Sequence, residues 1–313
     1  MSANPLVSIM MNCYNGEEYL EETLHSVINQ TYENWEIIFW DNRSIDRSKE
    51  IFESFQDKRL KYFLAPEHTN LGIARSIAFD KVNGEYLAIL DDDDLWLPNK
   101  LEVQIPVFKN SDIGIVISDT LYFNTDREKR LYKSGYPPSG YVFENLLKNY
   151  FVSLETVVMR MSTVRSLLYA FDPSFNVTSD FDIVMRVSMV SKLYVCHEVL
   201  AKWRKHSMSL THTTPRSFVQ EREAWIEKQI NLDEKLEKNY KNSIKYFKKK
   251  NNRISTAFYL IENKRLLALR SIFKSKLTNW QDFGLFVLCL MPFPGKIIIF
   301  LRNIKWLFSF SRS

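Results

Sequence analysis

Four consecutive aspartates, Asp91–Asp94, follow the apolar run Tyr86–Leu90 directly. An apolar run of this length is typical of a buried strand, so four carboxylates would crowd together where that strand ends. The crowding is unfavourable, and a divalent cation with oxygen ligands, Mg²⁺ or Mn²⁺, is the common way to offset it. The run therefore predicts a metal site, with a solvated acidic turn as the alternative.

Polar turn residues follow two earlier apolar runs in the same way. Asn12–Gly16 comes after Leu6–Met11, and Asp41–Asp46 comes after Trp35–Trp40. In open α/β sheets, ligands bind beyond the carboxyl ends of the strands. We therefore expect these two loops and the acidic run to lie around one site.

The elements that must position these loops alternate along the chain. Helical spacing or helix-start signals predict helices over Glu17–Gln30, Asp46–Phe55, Gly72–Val82, Asn99–Ile105 and Asp180–Val190, and apolar runs predict further strands over Ile113–Ser118, Thr156–Met161 and Lys192–Cys196. Such alternation favours an α/β fold of three layers, α/β/α, around a mostly parallel mixed sheet. The segment Tyr122–Tyr150, with its glycines and prolines, is expected to be a variable loop.

Five segments, taken in order, resemble the signature of family-2 glycosyltransferases with the Rossmann-like GT-A fold. They are Val7–Asn15, Trp40–Asp46, Asn70–Arg75, Gly84–Pro98 and Ser179–Arg186, and the resemblance covers residues 5 to about 212. It implies inverting transfer of a sugar from a nucleotide-diphosphate donor, such as a UDP-sugar. The acceptor would be a hydroxyl of a glycan or lipid-linked molecule in cell-surface polysaccharide synthesis.

The resemblance also implies roles for individual residues. Asp91 and Asp93 would hold Mn²⁺ or Mg²⁺ in an Asp-x-Asp frame, with Asp93 as the first choice of direct ligand, and His206 could complete the metal shell. The donor would be bound by Asn12, Tyr14, Asp41, Asn42, Arg75 and Asp92, of which Asn12, Tyr14, Asp41 and Asn42 would hold the base and ribose and Arg75 would approach the phosphates. Asn42 stands where family members often have an acid, and an exposed helix cation is the alternative for Arg75.

The resemblance assigns the catalytic base to Asp180. An inverting transfer needs one carboxylate to take the proton of the attacking hydroxyl. Asp182 is the competing candidate, and a helix cap is the structural alternative for Asp180 because Asp is a favoured N-cap. Ser179 replaces the acid that family members usually have before the base.

Charge is distributed unevenly along the 313 residues. Residues 241–313 contain 15 Lys and Arg against Glu262 and Asp282, a net of +13, whereas the rest carries −8 of the total +5. We therefore expect a catalytic domain over 1–215 and a helical, basic, membrane-associating region over 216–313. With 45% hydrophobic and 25% charged residues, the composition excludes disordered and fibrous classes.

The apolar part of the basic region is too short to span a bilayer. Phe283–Gly295 is uncharged but holds Pro292 and Pro294, and further apolar residues follow at Phe300, Trp306, Leu307 and Phe308. This blend predicts an element lying on an anionic membrane surface. Packing on its own domain or in a homo-oligomer is the alternative, and no nucleic-acid motif is present.

Location and rival activities are also constrained by the sequence. No leader pattern precedes the first strand, and three cysteines without CxxC spacing favour a reducing compartment, so we expect a cytoplasmic protein peripheral to the inner face of the membrane. A nucleotide-sugar-binding protein without transfer activity is one rival. A dinucleotide-dependent dehydrogenase is the other, but no GxGxxG follows the first strand.

Overall fold

The computed structural model describes residues 4–124, 127–206, 214–275, 277 and 279–292. These residues divide into two compact units. The first contains the described residues up to Phe143 and those from Phe151 to His206; the second contains Glu144–Tyr150 and those from Thr214 onward.

The described strands of the first unit form one nine-stranded mixed sheet. They are β1 (Val7–Cys13), β2 (Trp35–Asp41), β3 (Leu60–Leu64), β4 (Tyr86–Ile89), β5 (Leu95–Trp96), β6 (Ile113–Phe123), β7 (Glu128–Arg130), β8 (Val158–Arg160) and β9 (Lys192–Arg204). The sheet order is β3-β2-β1-β4-β8-β6-β9-β5, and β7 pairs with β6.

Helices alternate with these strands, as the sequence predicts for an α/β fold. They are α1 (Leu20–Ile28), α2 (Ser48–Ser54), α3 (Leu71–Phe79), α4 (Lys100–Gln104), α5 (Phe143–Lys148), α6 (Met161–Arg165) and α7 (Ser179–Val190), with 3-10 turns at Ile105–Lys109 and Leu154–Thr156. Apolar residues of β1 and β2 and of the flanking helices, Ile9, Phe39, Leu24 and Phe52 among them, share one buried core.

The register of the central strands brings the polar loops together. Strands β1, β2 and β4 run parallel, with Asn12 opposite Trp40 and Cys13 opposite Asp41. Parallel strands end at the same edge of a sheet, so the loops after β1 and β2 and the aspartates after β4 meet there. This arrangement confirms the expected fold class.

The segment Tyr122–Tyr150 differs from its prediction as a loop. It contains β7, α5 and the end of β6, which runs to Phe123. Glu128–Arg130 is a charged strand without apolar alternation, so periodicity gives no signal for it. Helix α5 has only six residues, fewer than two helical turns.

The second unit is helical, and its first segment contains most of α5. Its other helices are α8 (Pro215–Leu232), α9 (Glu234–Asn239), α10 (Lys241–Ile261), α11 (Arg265–Lys274) and α12 (Trp280–Leu290). Leu260, Ile272 and Leu288 belong to a core shared by α10, α11 and α12. The buried carboxylate of Asp282 pairs with Lys249 at 2.8 Å and with Arg253 at 2.5 Å, which fastens α12 to α10.

Two further observations bear on the predicted membrane region. Within the part of the chain that the structure describes, no helix is long and apolar enough to cross a membrane. The apolar residues Phe300, Trp306, Leu307 and Phe308 lie outside the described residues, and membrane association stays a prediction.

Candidate active site

The loops after β1 and β2 are joined by hydrogen bonds between side chains and backbone. The Gly16 N–H donates to the Ser48 hydroxyl at 2.9 Å, and the Glu17 N–H donates to Asp46 at 2.9 Å. Gly16 is required here, because a Cβ at this position would lie 2.2 Å from Asp92 Oδ2. The two loops therefore form one rigid rim against the acidic turn.

Two predicted donor-binding residues, Asn12 and Asp41, occupy adjoining strand ends in different ways. Both side-chain polar atoms of Asn12 are buried without a hydrogen-bond partner among the described residues. Both carboxylate oxygens of Asp41 are used: one accepts from Ser44 N–H at 2.7 Å and the other from the Tyr62 hydroxyl at 2.5 Å. The Asn12 amide thus has unused hydrogen-bonding capacity, whereas Asp41 braces the loop.

Asn42 and Tyr14 face the loop that precedes α3. The Asn42 amide donates to the Thr69 carbonyl at 2.7 Å and accepts from Thr69 N–H at 3.1 Å. The Tyr14 ring is about half exposed and packs against His68, with centroids 4.1 Å apart. Asn42 therefore holds the wall of the site, and Tyr14 presents an aromatic surface at its entrance.

The acidic turn brings three carboxylates together. Asp91, Asp93 and Asp94 each offer an oxygen within 4.8 Å of the others. Asp94 is fully buried and accepts the Arg204 N–H at 2.8 Å. The sequence assigned Asp91 and Asp93 but gave Asp94 no role, because its partner is 110 residues away along the chain.

Asp92 points away from that cluster. Its carboxylate lies beside Gly16 and hydrogen bonds to the Cys13 thiol. Burial, followed by the charge of Asp93, raises the pKa of Asp92 to about 8. Burial, followed by the charge of Asp92, raises the pKa of the Cys13 thiol. Asp92 therefore lies under the rim formed by the β1 and β2 loops, in contact with β1.

The charges of the cluster fit a divalent cation. Burial, followed by the negative charge of Asp91, raises the pKa of Asp93. Burial, followed by the charges of Asp93 and Glu155, raises the pKa of Asp94 well above its usual range. A hard cation with oxygen ligands would relieve this repulsion, so the donor set suits Mg²⁺ or Mn²⁺.

Arg75 contacts two of the predicted site segments at once. Its guanidinium donates to Asp91 at 2.8 Å and to the Ser179 hydroxyl at 2.8 Å. The side chain is 3% exposed, so it is not the exposed helix cation considered as the alternative. Its Nε is buried without a partner among the described residues.

The two candidates for the base have different surroundings. Asp182 is buried in a two-contact ion pair with Arg186, at 2.8 and 2.5 Å, inside helix α7. Asp180 is half-buried; burial raises its pKa, and the nearby Arg75 acts in the opposite direction. Thr178 is the residue before the first helical position, so Asp180 lies within the first turn and is not the cap.

His206 and Arg204 fasten the end of β9 to the acidic turn. His206 Nε2 lies 2.7 Å from Asp93 Oδ2. The Arg204 guanidinium donates to the Asp93 carbonyl at 2.9 Å and pairs with Glu22 at 2.5 Å. Arg204, the last residue of β9, was not assigned a site role from the sequence; a cation two residues before His206 was the available signal.

A buried cation lies below the acidic turn. Lys100 contacts the carbonyl of Thr156 at 3.2 Å, and its Nζ lies 4.4 Å from the centre of the Trp96 ring. Burial lowers the pKa of Lys100 to about 7. The Trp96 indole donates to the Glu155 carbonyl at 2.8 Å, so this residue packs beside the site.

A family model described as "Glycosyl transferase family 2" matches residues 8–167. An uncharacterised glycosyltransferase of Rickettsia typhi is 33% identical over 227 residues, which cover 71% of this chain and 71% of the relative. A UDP-Glc:alpha-D-GlcNAc-diphosphoundecaprenol beta-1,3-glucosyltransferase of Escherichia coli is 29% identical over 209 residues, covering 66% of this chain and 79% of the relative.

Solved structures of glycosyltransferases share the fold. S. aureus TarS aligns with a TM-score of 0.65 at 14% identity, covering 89% of this chain and 50% of that chain. Its residues 1–349, in complex with UDP-GlcNAc, align with a TM-score of 0.60 at 15% identity over 85% of this chain and 88% of that chain. A mannosyltransferase of Pyrobaculum calidifontis, in complex with GDP-Man and Mn²⁺, aligns with a TM-score of 0.61 at 16% identity over 98% of this chain and 88% of that chain.

Proposed function

The chain belongs to glycosyl transferase family 2 and has the GT-A fold, and from that premise we propose that it is a metal-dependent inverting enzyme. It would move a sugar from a nucleotide-diphosphate donor, a UDP-sugar, to a hydroxyl of a glycan or lipid-linked acceptor. The family membership excludes the dehydrogenase alternative. The glucosyltransferase activity of the E. coli relative supports a transferase.

The observation that carries the proposal is the cluster of Asp91, Asp93 and Asp94 at the carboxyl edge of the parallel strands. Asp93 and Asp91 would hold Mn²⁺ or Mg²⁺, with His206 positioning the Asp93 carboxylate. When bound, the ion would stabilise the charge of the departing diphosphate. The Mn²⁺ in the similar mannosyltransferase structure supports this choice of ion.

The donor would lie along the rim formed by the β1 and β2 loops. The unpartnered amide of Asn12 suits hydrogen bonding to the base, and the half-exposed Tyr14 ring offers a stacking surface. Asp41 and Asn42 would act by holding the loops around the base and ribose. Arg75, which already holds Asp91, has its buried Nε free for the phosphate side of the donor.

Asp180 would be the catalytic base. It accepts the proton of the acceptor hydroxyl as that oxygen forms a bond to the sugar C1, while the bond from C1 to the diphosphate breaks on the opposite face. Its raised pKa suits a group that must take a proton near neutral pH. Asp182 does not suit this role, because Arg186 occupies both of its oxygens.

The enzyme would act in the cytoplasm, at the inner face of the membrane. The lipid-linked acceptor in the name of the E. coli relative supports that position, as does the basic character of residues 241–313. Attraction to anionic lipid would hold the protein there peripherally. A homo-oligomer is compatible with this location.

A turnover assay separates this proposal from donor binding without transfer. The full chain is given a panel of nucleotide sugars and a polyprenyl-diphosphate sugar acceptor, with Mn²⁺ or with excess chelator. We expect a glycosylated product and free nucleoside diphosphate with Mn²⁺ alone. Donor that stabilises the protein against heat without any product would favour the binding-protein alternative, and full turnover in chelator would refute the metal dependence.

A further inference from the structure

Helix α12 is apolar on both its faces. Leu285, Leu288 and Cys289 are buried in the core of the second unit. On the other face Trp280 is 86% exposed, and Phe283 and Leu290 are also exposed. The exposed residues recur three, seven and ten positions apart with Val287 between them, which is one stripe of a helix.

Helix α11 continues this apolar surface. Leu266 is 76% exposed and Phe273, seven positions later, is 57% exposed. The Phe273 ring meets Phe286 of α12 edge to face, with centroids 5.6 Å apart. The two stripes therefore adjoin. We call this surface the α11–α12 face and define it by Leu266, Phe273, Trp280, Phe283 and Leu290.

The charged side chains that α11 and α12 themselves expose are of one sign. Arg265, Arg270 and Lys274 of α11 are exposed. From Lys264 to the end of the sequence the only acid is Asp282, and it is fully buried between Lys249 and Arg253. The described surface of α11 and α12 is therefore apolar and cationic, with no acidic side chain exposed.

We propose that the α11–α12 face docks on an anionic lipid membrane. Apolar side chains would enter the acyl boundary while Arg265, Arg270 and Lys274 contact lipid phosphates. Trp280 combines an apolar ring with a donor N–H, which suits the level of the headgroups. Helix α12 has 11 residues, about half of a membrane span, so it would lie along the surface.

The charge pattern favours lipid over other occupants. A second copy docking through the same face would bring Arg270 and Lys274 against their own equivalents, and such like-charge contacts are unfavourable. The chain beyond Pro292 has Lys296, Arg302, Lys305 and Arg312 and no acid, so it also lacks complementary charge. An anionic bilayer supplies the missing charge and an apolar interior together.

This inference rests on the proposed membrane attachment and names the surface that would carry it. Vesicle flotation of the full chain, without donor or acceptor, tests it independently of sugar transfer. The vesicles are phosphatidylcholine with or without phosphatidylglycerol. We expect wild type to float with the anionic vesicles, to bind neutral ones far less, and to be partly released by high salt.

Two double variants probe the two parts of the face. Trp280→Glu with Phe283→Glu should weaken binding to anionic vesicles at least about tenfold, because charged groups resist insertion. Leu232→Glu is the matched control, since Leu232 is exposed on α8 of the same unit. Arg270→Glu with Lys274→Glu should weaken binding by roughly tenfold or more, compared with the same charge change at the exposed Lys235 and Lys238 of α9.

Three results would overturn the proposal. Binding that survives Trp280→Glu with Phe283→Glu would move the attachment to another part of the chain. Equal binding of wild type to neutral and anionic vesicles would remove the role of the cations. No binding, with a dimer in sedimentation that the same variant dissociates, would assign the face to a second copy. Trp280→Ser, at a largely solvent-exposed side chain, repeats the test if the double variant does not fold.

Discussion

Clustered and paired carboxylates of the two units have opposite surroundings. In the first unit, Asp91, Asp93 and Asp94 crowd within 4.8 Å, and burial, followed by the charges of neighbouring carboxylates, raises the pKa values of Asp93 and Asp94. In the second unit, the buried Asp282 is matched by two cations within 2.8 Å. Charge is thus concentrated in one place and neutralised in the other.

This difference distinguishes a candidate functional site, the acidic cluster, from a structural ion pair at Asp282. Pairing of Asp282 with Lys249 and Arg253 holds helices together, and removing the carboxylate would leave two cations without their partner. Crowding of like charges destabilises the fold unless a ligand compensates, which is typical of functional sites. Removing a carboxylate of the acidic cluster should therefore affect activity, whereas removing the paired carboxylate of Asp282 should affect stability.

The largest effect is expected from Asp93→Asn. Loss of the proposed metal-binding carboxylate should lower the rate of sugar transfer on the order of a thousandfold, as for loss of a major electrostatic stabiliser. In the absence of metal its thermal midpoint should equal or exceed that of wild type, because repulsion within the cluster is reduced. Asp112→Asn, at an exposed carboxylate paired with Lys192, is the control and should retain activity. An Asp93→Asn enzyme with near wild-type rates, or one that unfolds, would contradict the assignment of Asp93 to a functional site.

The next largest effect is expected from Asp180→Asn. Turnover should fall on the order of a hundredfold or more, in line with general-base contributions, while donor affinity and stability stay near wild type. Because the pKa of Asp180 is raised, this base becomes protonated at a higher pH than an exposed aspartate does. As the pH is lowered, the wild-type rate should therefore begin to fall at that higher pH. A matching loss of donor affinity would assign Asp180 to binding.

Asp182→Asn provides the contrast on the same helix. It removes the partner of the buried Arg186 and should lower the free energy of unfolding, by about 3 kcal/mol. Turnover per folded molecule should change little. If Asp182→Asn lowers turnover more than Asp180→Asn does in folded protein, the base has been assigned to the wrong carboxylate.

Asp282→Asn extends the contrast to the second unit. Lys249 and Arg253 keep some contact with solvent, so we expect a loss of about 2 kcal/mol in the unfolding of this unit, below the cost for a fully buried pair. Urea unfolding measures it. Glu262→Gln, which breaks a more exposed pair with Lys264, should cost under about 1 kcal/mol; equal losses for the two variants would contradict the ranking.

The last effect is a pH dependence of stability and concerns the buried Lys100, whose Nζ lies over the Trp96 ring. Its pKa is lowered to about 7 from 10.5, so between these values the folded protein binds fewer protons than the unfolded chain. The free energy of unfolding should therefore rise with pH above 7, by up to about 1.4 kcal/mol per pH unit. The rise should be smaller in Lys100→Met, where Lys250, whose pKa burial also lowers, still contributes to it, whereas Lys192→Met should retain the full rise. Parallel pH profiles of wild type and Lys100→Met would contradict the assignment.

The sequence predicts the fold and the acidic edge because both depend on local patterns. Apolar runs ending in polar loops indicate strands β1, β2 and β4, and their parallel order brings the loops to one edge. The hydrogen bond from Arg204 to Asp94 depends on the register of β9, which periodicity does not fix. The inward direction of Asp92 depends on the absence of a side chain at Gly16.

Composition alone does not predict how the second unit packs. Net charge indicates a basic region, but it does not say that Asp282 is buried or that Trp280 is exposed. Residues 144–150 also belong to this unit, although about 60 residues of the chain separate them from the rest of it. Such packing between distant segments depends on which apolar faces meet in three dimensions. Local sequence patterns do not predict it.

Calorimetric titration of UDP into the full chain measures whether the acidic cluster holds a cation that binds a nucleoside diphosphate. If the acidic cluster is a cation site that holds a nucleoside diphosphate, UDP should bind at least about tenfold more tightly with Mn²⁺ than in excess chelator, which is about 1.4 kcal/mol. Asp93→Asn should abolish that gain and leave the metal-free affinity unchanged. Equal affinity of wild type for UDP with and without Mn²⁺ would show that the acidic cluster does not hold a cation for the diphosphate.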